Sequence, residues 1–116
     1  MQVRGIRGAI TVKNNDKKDI LAATKELLAE IIKGNQVKVE DIASVIFSAT
    51  KDLDAEFPAL AAREMGWSET PLLCTKEIDV PGSLEKCIRV LILVNLDKTQ
   101  KEIRNIYLKD AVNLRR

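Results

Sequence analysis

Strand-like patterns mark five segments of the chain, from alternation of apolar and polar residues to a nearly continuous apolar run. In the first segment, 3–12, Ile6 and Ile10 share one face, whereas Arg7 and Ala9 share the other. The remaining predicted strands cover 45–50, 72–78, 87–95 and 105–108. We therefore expect five strands, of which 87–95 has the strongest pattern.

Apolar residues at helical spacing follow the first strand, from Ile20 to Ile31. Asn15 or Asp16 can cap the start of this helix, and Gly34 is expected to end it. Shorter helical segments are predicted at 40–43, 58–65 and 99–104.

The order of these elements predicts an α+β fold, in which a single mixed β-sheet carries its helices on one face. A length of 116 residues is typical of one domain, so we expect a single domain over 1–116. The other face of the sheet would keep apolar residues exposed. Oligomerisation is the natural way to bury that face.

The composition excludes several classes of function. The 19 basic and 17 acidic residues are spread over the whole chain and give a net charge of +2, which argues against a nucleic-acid-binding protein. Histidine is absent, so catalytic triads and histidine metal sites are excluded. Two cysteines, Cys74 and Cys87, do not make a zinc site, and we expect no metal.

The longest uninterrupted apolar run, 90–94, is far too short to span a membrane. The even charge mix and the lack of a recognisable signal peptide are typical of proteins in the reducing cytoplasm. We therefore expect a cytoplasmic protein with no membrane partner.

Arg89 lies in the apolar strand 87–95 and is expected to be at least partly buried. A buried guanidinium must be paired with an anion. The anion can be a carboxylate of the same chain, such as Glu77, or a bound ligand. Periodicity alone does not decide between a structural ion pair and an anion-binding site.

Arg7 lies among small residues of the first strand, where Gly8 and Ala9 leave room for a ligand beside the guanidinium. The simpler interpretation of Arg7 alone is a solvated residue of an edge strand. The simpler interpretation of Arg63 is likewise a solvated helix face.

Three further residues could carry chemistry, although each also fits a structural role. Glu77 can be an exposed carboxylate at the end of a strand. Cys74 can be a small buried apolar residue, and Tyr107 can be a core residue whose hydroxyl is bonded locally. Alternation places Cys74 and Glu77 on opposite faces, so both reach one site only if the strand bends or bulges near Lys76. With the arginines, this set could bind a small dicarboxylate or stabilise separated charge without moving protons.

Six segments of the chain, in order and at the expected spacing, resemble the monofunctional bacterial chorismate mutases of the Bacillus type. They are VRGIRGAITV at 3–12, FPA at 57–59 followed by AR at 62–63, PLLC at 71–74, VPGSL at 80–84, CIRV at 87–90 and IYL at 106–108. The resemblance implies a homotrimer shaped as a pseudo-α/β barrel, with three active sites in the clefts between subunits. It also implies a Claisen rearrangement of chorismate to prephenate, on the path to phenylalanine and tyrosine, without a cofactor or a covalent intermediate.

The resemblance also implies a role for each matching residue. Arg89 is expected to donate to the ether oxygen and a carboxylate of the substrate, and Arg7 to bind the side-chain carboxylate. Glu77 and Cys74 are expected to face the ring and its hydroxyl, and Tyr107 to support the carboxylate end.

Further residues are expected to line the cleft. The neighbouring subunit is expected to contribute Phe57, Ala59, Arg63 and Leu73 to the cleft. Thr75 is expected to line the cleft as well. A tail that contains Leu114 and Arg115 is expected to close over the cleft. Relatives can carry a lysine where this chain has Leu60, so any carboxylate contact from that lysine is missing.

The alternative function is a non-catalytic trimeric module that binds a small anionic metabolite at the same clefts. The presence of both Arg89 and Glu77 favours the enzyme.

Overall fold

A computed structural model describes residues 1–114, which form one five-stranded sheet with two α-helices. The elements are β1 (Gln2–Thr11), α1 (Lys17–Asn35), β2 (Ile42–Ala49), α2 (Ala59–Glu64), β3 (Leu72–Lys76), β4 (Cys87–Leu96) and β5 (Ile106–Leu108). Short 3₁₀ turns cover Val39–Asp41, Gln100–Glu102 and Lys109–Asn113. All five predicted strands are confirmed, with ends that differ by a few residues. The 3₁₀ turn Lys109–Asn113 was not predicted.

The sheet has the strand order β3-β2-β4-β1-β5 and is mixed, as predicted. β4 pairs antiparallel with both β1 and β2, whereas β3 and β5 run parallel to their neighbours β2 and β1. Both helices pack on the same face, where the largest core cluster lies. Ile6, Ile10, Ile88 and Ile92 bring the sheet to this core, so the alternation in the sequence identified the buried face correctly.

Polar residues define both ends of the long helix α1. The Asp16 carboxylate accepts a hydrogen bond of 2.7 Å from the Asp19 N–H, as expected of an N-cap. The predicted end at Gly34 is wrong, because the helix continues to Asn35 and the left-handed residue is Gln36, at φ 52°. The buried Asn35 amide explains the extension, since it bonds the backbone of Arg104 through both its oxygen and its nitrogen.

Gly8 lets α1 approach the sheet closely. A Cβ added there would lie 2.7 Å from Ile31 Cδ1 and 3.1 Å from both Leu27 Cδ1 and the Ile106 carbonyl oxygen. The small size of Gly8 therefore serves helix packing. Gly8 and Ala9 also line the cavity beside Arg7, so the expected room beside this guanidinium is present.

The face opposite the helices, here called the open face, is covered at one corner by the part of the chain that the structure describes. The turn Lys109–Asn113 places the buried Ala111 against Ala9 and Cys87. The rest of the face keeps apolar side chains that are exposed or half-buried in the chain alone, namely Val3, Ile46, Leu73, Leu91 and Leu93. Within residues 1–114, no helix is long and apolar enough to cross a membrane.

Candidate active site

Strand register assembles a row of side chains across the open face. Arg89 pairs with Ser48 of β2 and with Ala9 of β1, and these in turn pair with Thr75 and Tyr107 on the edge strands. The next row along the strands contains Leu73, Ile46, Leu91 and Arg7. Two guanidinium groups and a phenol, far apart in sequence, thus share one surface.

Glu77 joins this surface from the segment that follows β3. Its backbone N–H donates to the Ala49 carbonyl oxygen at 3.0 Å, which extends the β2–β3 pairing by one residue. Its Oε2 atom accepts a hydrogen bond of 2.6 Å from the Ser48 hydroxyl and lies 3.6 Å from Arg89 Nε. Glu77 therefore faces the same surface as Arg89.

Arg89 is less buried than the sequence suggested, since its side chain is 45% exposed, against 27% for Glu77. Within residues 1–114, the turn Lys109–Asn113 packs beside this part of the open face and leaves the Arg89 side chain partly open to solvent. The ion pair between Arg89 and Glu77 exists, so that interpretation is confirmed. The pair also lines a cavity, so the same guanidinium can hold Glu77 and face a bound anion.

The cavity has a volume of about 370 Å³ and opens on the open face. It is lined by Arg7, Ser48, Thr75, Glu77, Arg89, Tyr107 and Leu114, among others. Its charged lining is thus mainly cationic, with Glu77 as the carboxylate. Because apolar residues such as Ile46 and Leu91 also line it, the cleft suits a small anion with an apolar part.

The start of β4 is held firmly, which fixes the backbone that carries Arg89. The Cys87 N–H donates to the Thr50 hydroxyl at 3.0 Å, and the Lys86 N–H donates to the Asp52 carboxylate at 3.0 Å. Burial raises the pKa of the Cys87 thiol, and the nearby Arg89 guanidinium opposes this shift only in part. Cys87 therefore stays a neutral thiol beside Arg89 at neutral pH.

Cys74 does not reach the Arg89 cleft in this chain. It pairs with Phe47, which faces the helices, while its neighbours Leu73 and Thr75 point to the open face. The β2–β3 register is regular, so the bulge that would bring Cys74 and Glu77 together is absent from β3. Cys74 instead lines a second cavity with Phe57 and Thr75.

The residues expected from a neighbouring subunit are not among those that line the Arg89 cleft of their own chain. Phe57, Arg63 and Leu73 are exposed. Ala59 is only 4% exposed and packs in the core of its own chain. Leu114 does line the cleft, as expected of the tail, whereas Arg115 lies outside the described residues.

Comparison with known proteins gives the family. The family model for chorismate mutase type I matches residues 3–116. The chain is 49% identical to chorismate mutase AroH of Bacillus subtilis (strain 168), over 99% of this chain and 91% of that protein. It is also 49% identical to chorismate mutase AroH of Thermus thermophilus, over 97% and 93% of the two chains. The chain belongs to the chorismate mutase type I family.

A solved chorismate mutase from Clostridium thermocellum has the same fold, with a TM-score of 0.91 at 56% identity over 92% of this chain and 96% of that one. The resemblance read from the six sequence segments is thus confirmed. Within residues 1–114 of this chorismate mutase, no group of three or more cysteine, aspartate or glutamate residues could hold a metal ion.

Sequence reasoning missed two polar residues that line the cleft of this chorismate mutase, Lys76 and Ser48, of which Ser48 is the more informative. Its alternation with Ile46 was readable in the sequence and places it on the open face. Its position opposite Arg89 depends on the pairing of β2 with β4, two strands that are about forty residues apart. Nothing in a single sequence gives that register.

Proposed function

We propose that this chorismate mutase rearranges chorismate to prephenate at the cleft formed by Arg7, Glu77, Arg89 and Tyr107. One observation supports the location above all others. The strand register brings two guanidinium groups and a carboxylate to one cavity, although they come from opposite ends of the chain. Family membership gives the activity and its place in aromatic amino-acid biosynthesis. It gives no support to the alternative of a non-catalytic binding module.

The charges of the cleft match the substrate. Chorismate is a dicarboxylate, and Arg7 and Arg89 supply two positive charges on adjacent rows of the sheet. Arginine suits this task because its planar fork can hold a carboxylate through two parallel hydrogen bonds. We assign Arg7 to the side-chain carboxylate and Tyr107 to the support of the carboxylate end.

The reaction needs charge stabilisation rather than proton transfer. As the C–O bond breaks ahead of C–C bond formation, negative charge grows on the ether oxygen and positive charge spreads over the ring. Arg89 would donate to the ether oxygen, while the Glu77 carboxylate would face the ring. One preorganised donor of this kind contributes about 3–4 kcal/mol to transition-state stabilisation.

Holding the reactive conformation is the second task of the cleft. The two carbons that form the new bond must be close together before reaction, which is an effect of orientation. Arg7 and Arg89 lie at fixed positions on paired strands, so they would bind the two ends of the substrate at a set distance.

We further propose that three chains close the open face by forming a pseudo-α/β barrel. The apolar residues left uncovered there, such as Leu73, Leu91 and Leu93, need a partner. In this assembly Phe57, Arg63 and Leu73 would complete the cleft of the adjacent chain. Cys74 would approach it from the same side as Phe57, with which it shares a cavity.

Two further proposals concern the C-terminal tail and the cellular location of the enzyme. Leu114 and Arg115 would close the cleft after the substrate has entered. The enzyme would work in the cytoplasm, with no cofactor and no metal.

Incubation of the purified protein with chorismate tests the activity. We expect loss of chorismate that is proportional to the amount of protein, with prephenate as the product. Because the two compounds are isomers of equal mass, the product must be identified by NMR or chromatography. Chorismate that stays intact while it binds at the cleft would support the non-catalytic module instead.

A further inference from the structure

Ser48 makes the shortest polar contact of the Glu77 carboxylate. Its hydroxyl donates to Glu77 Oε2 at 2.6 Å, within the usual range for an O–H group bonded to a carboxylate. The side chain is half-buried, in the centre of the row between Thr75 and Arg89. Since β2 is flanked by strands on both sides, the backbone that carries this hydroxyl is held in the sheet.

Glu77 itself has little else to hold its carboxylate. It follows the last residue of β3, and the segment from Ile78 to β4 is exposed over most of its length. Its backbone makes one bond to Ala49, and a glutamate side chain rotates about three bonds beyond its Cα atom. No hydrogen bond to Oε1 is present within residues 1–114, so the carboxylate is held through Oε2 alone.

The same oxygen faces Arg89, at a distance too long for a hydrogen bond. Nε lies 3.6 Å from Oε2, whereas N–H···O bonds span about 2.7–3.2 Å. A freely rotating Glu77 would gain energy by closing this gap and forming a bidentate pair with the guanidinium. That pair would occupy the donors that the ether oxygen needs.

We propose that Ser48 is a positioning residue for Glu77, which keeps one carboxylate oxygen free for the substrate ring and keeps Arg89 from closing onto the carboxylate. This inference rests on the proposed function of Glu77 and Arg89. Ser48 touches neither of the reacting bonds and acts only through the carboxylate. Its removal should therefore slow the chemical step more than it weakens substrate binding.

Kinetics of Ser48→Ala in the full-length enzyme test the proposal. We expect kcat to fall about tenfold, as for a lost hydrogen bond to a charged group, while KM changes by less than about threefold. Ser48→Thr keeps the hydroxyl and should restore most of the lost kcat. Ser44→Ala removes a hydroxyl from the same face of the same strand, opposite Leu93, and should leave kcat unchanged.

A second background separates positioning from a general structural effect. In Glu77→Gln enzyme, Ser48→Ala should cause almost no further loss of kcat, because the two residues act as one unit. A parental kcat in Ser48→Ala, or an equal loss of kcat in both backgrounds, would overturn the positioning role. If instead Glu77→Gln alone keeps the parental kcat, the proposed function of Glu77 fails, and the inference fails with it. Unfolding temperatures and molecular masses of all variants show whether each comparison is made between folded enzymes.

Discussion

Arg89 and Glu77 form an ion pair across the open face, with 3.6 Å between Nε and Oε2. Arg89 lies on β4 and Glu77 follows β3, and β2 with Ser48 lies between these two strands. The distance is short enough for attraction and too long for a hydrogen bond. The guanidinium thus remains able to donate to a ligand, and the two opposite charges lie ready for a reaction that separates charge.

The charge of Glu77 is expected to act on the transition state. Glu77→Gln keeps the shape and removes the negative charge that would face the developing ring cation. Turnover should fall much more than substrate affinity, because the lost interaction strengthens as the reaction proceeds. Steady-state kinetics measure this split, with Glu30→Gln on the exposed face of α1 as a control. Equal turnover in Glu77→Gln and the parent enzyme would leave Glu77 with a structural role only.

The pH profile of turnover reports on proton transfer. The chain has no histidine, and the proposed rearrangement moves no proton. Burial raises the pKa of Cys87, so rising pH does not place a thiolate beside Arg89 near neutrality. We therefore expect kcat to be nearly constant between about pH 6 and 9. A bell-shaped profile centred near pH 7 would point to a general acid and base that this account lacks.

Gly8 is expected to be essential for stability. In Gly8→Ala the new methyl group would lie 2.7 Å from Ile31 Cδ1 and 3.1 Å from the Ile106 carbonyl oxygen, so the buried Ile31 side chain and its surroundings must repack. We expect a loss of about 1–3 kcal/mol in the free energy of unfolding, typical of an overpacked core. Gly5→Ala, on the same strand, is the matched control, since its Cβ would meet nothing closer than 3.6 Å. Urea denaturation of both variants should separate them, and equal stabilities would show that α1 is not packed as described.

These results show which features a single sequence predicts. Alternation in β1 and β4 correctly identified the faces of Arg7 and Arg89, because side chains of a strand point to opposite faces in turn. Helix ends were harder, since α1 is extended by the tertiary bond between Asn35 and Arg104. The partners of Arg89 within the row required strand register, and the turn over Ala9 required a contact between the two ends of the chain. Both are long-range features that no local pattern encodes.

The mass of the protein in solution tests the proposed assembly. Light scattering should give about three times 12.9 kDa, because three open faces close one barrel. Leu93→Glu places a charge on the open face and should yield folded monomers that lack activity. Ala29→Glu on the exposed side of α1 should leave the trimer intact. A parental monomer with full activity would contradict the proposed cleft between subunits.

The most direct test of the central claim is the turnover of Arg89→Lys. The formal charge is unchanged, so simple attraction predicts little loss. Lysine is a compact point charge that cannot present arginine's planar fork to the ether oxygen and a carboxylate together. We therefore expect kcat to fall by at least about 10²-fold, the order of one preorganised donor.

Circular dichroism should show that Arg89→Lys stays folded, since the new ammonium group still faces Glu77. Arg104→Lys, which replaces an exposed arginine outside the cleft, controls for the loss of a guanidinium elsewhere. A folded Arg89→Lys enzyme that turns over chorismate at the parental rate would contradict the account, and Arg89 would then be only the structural partner of Glu77.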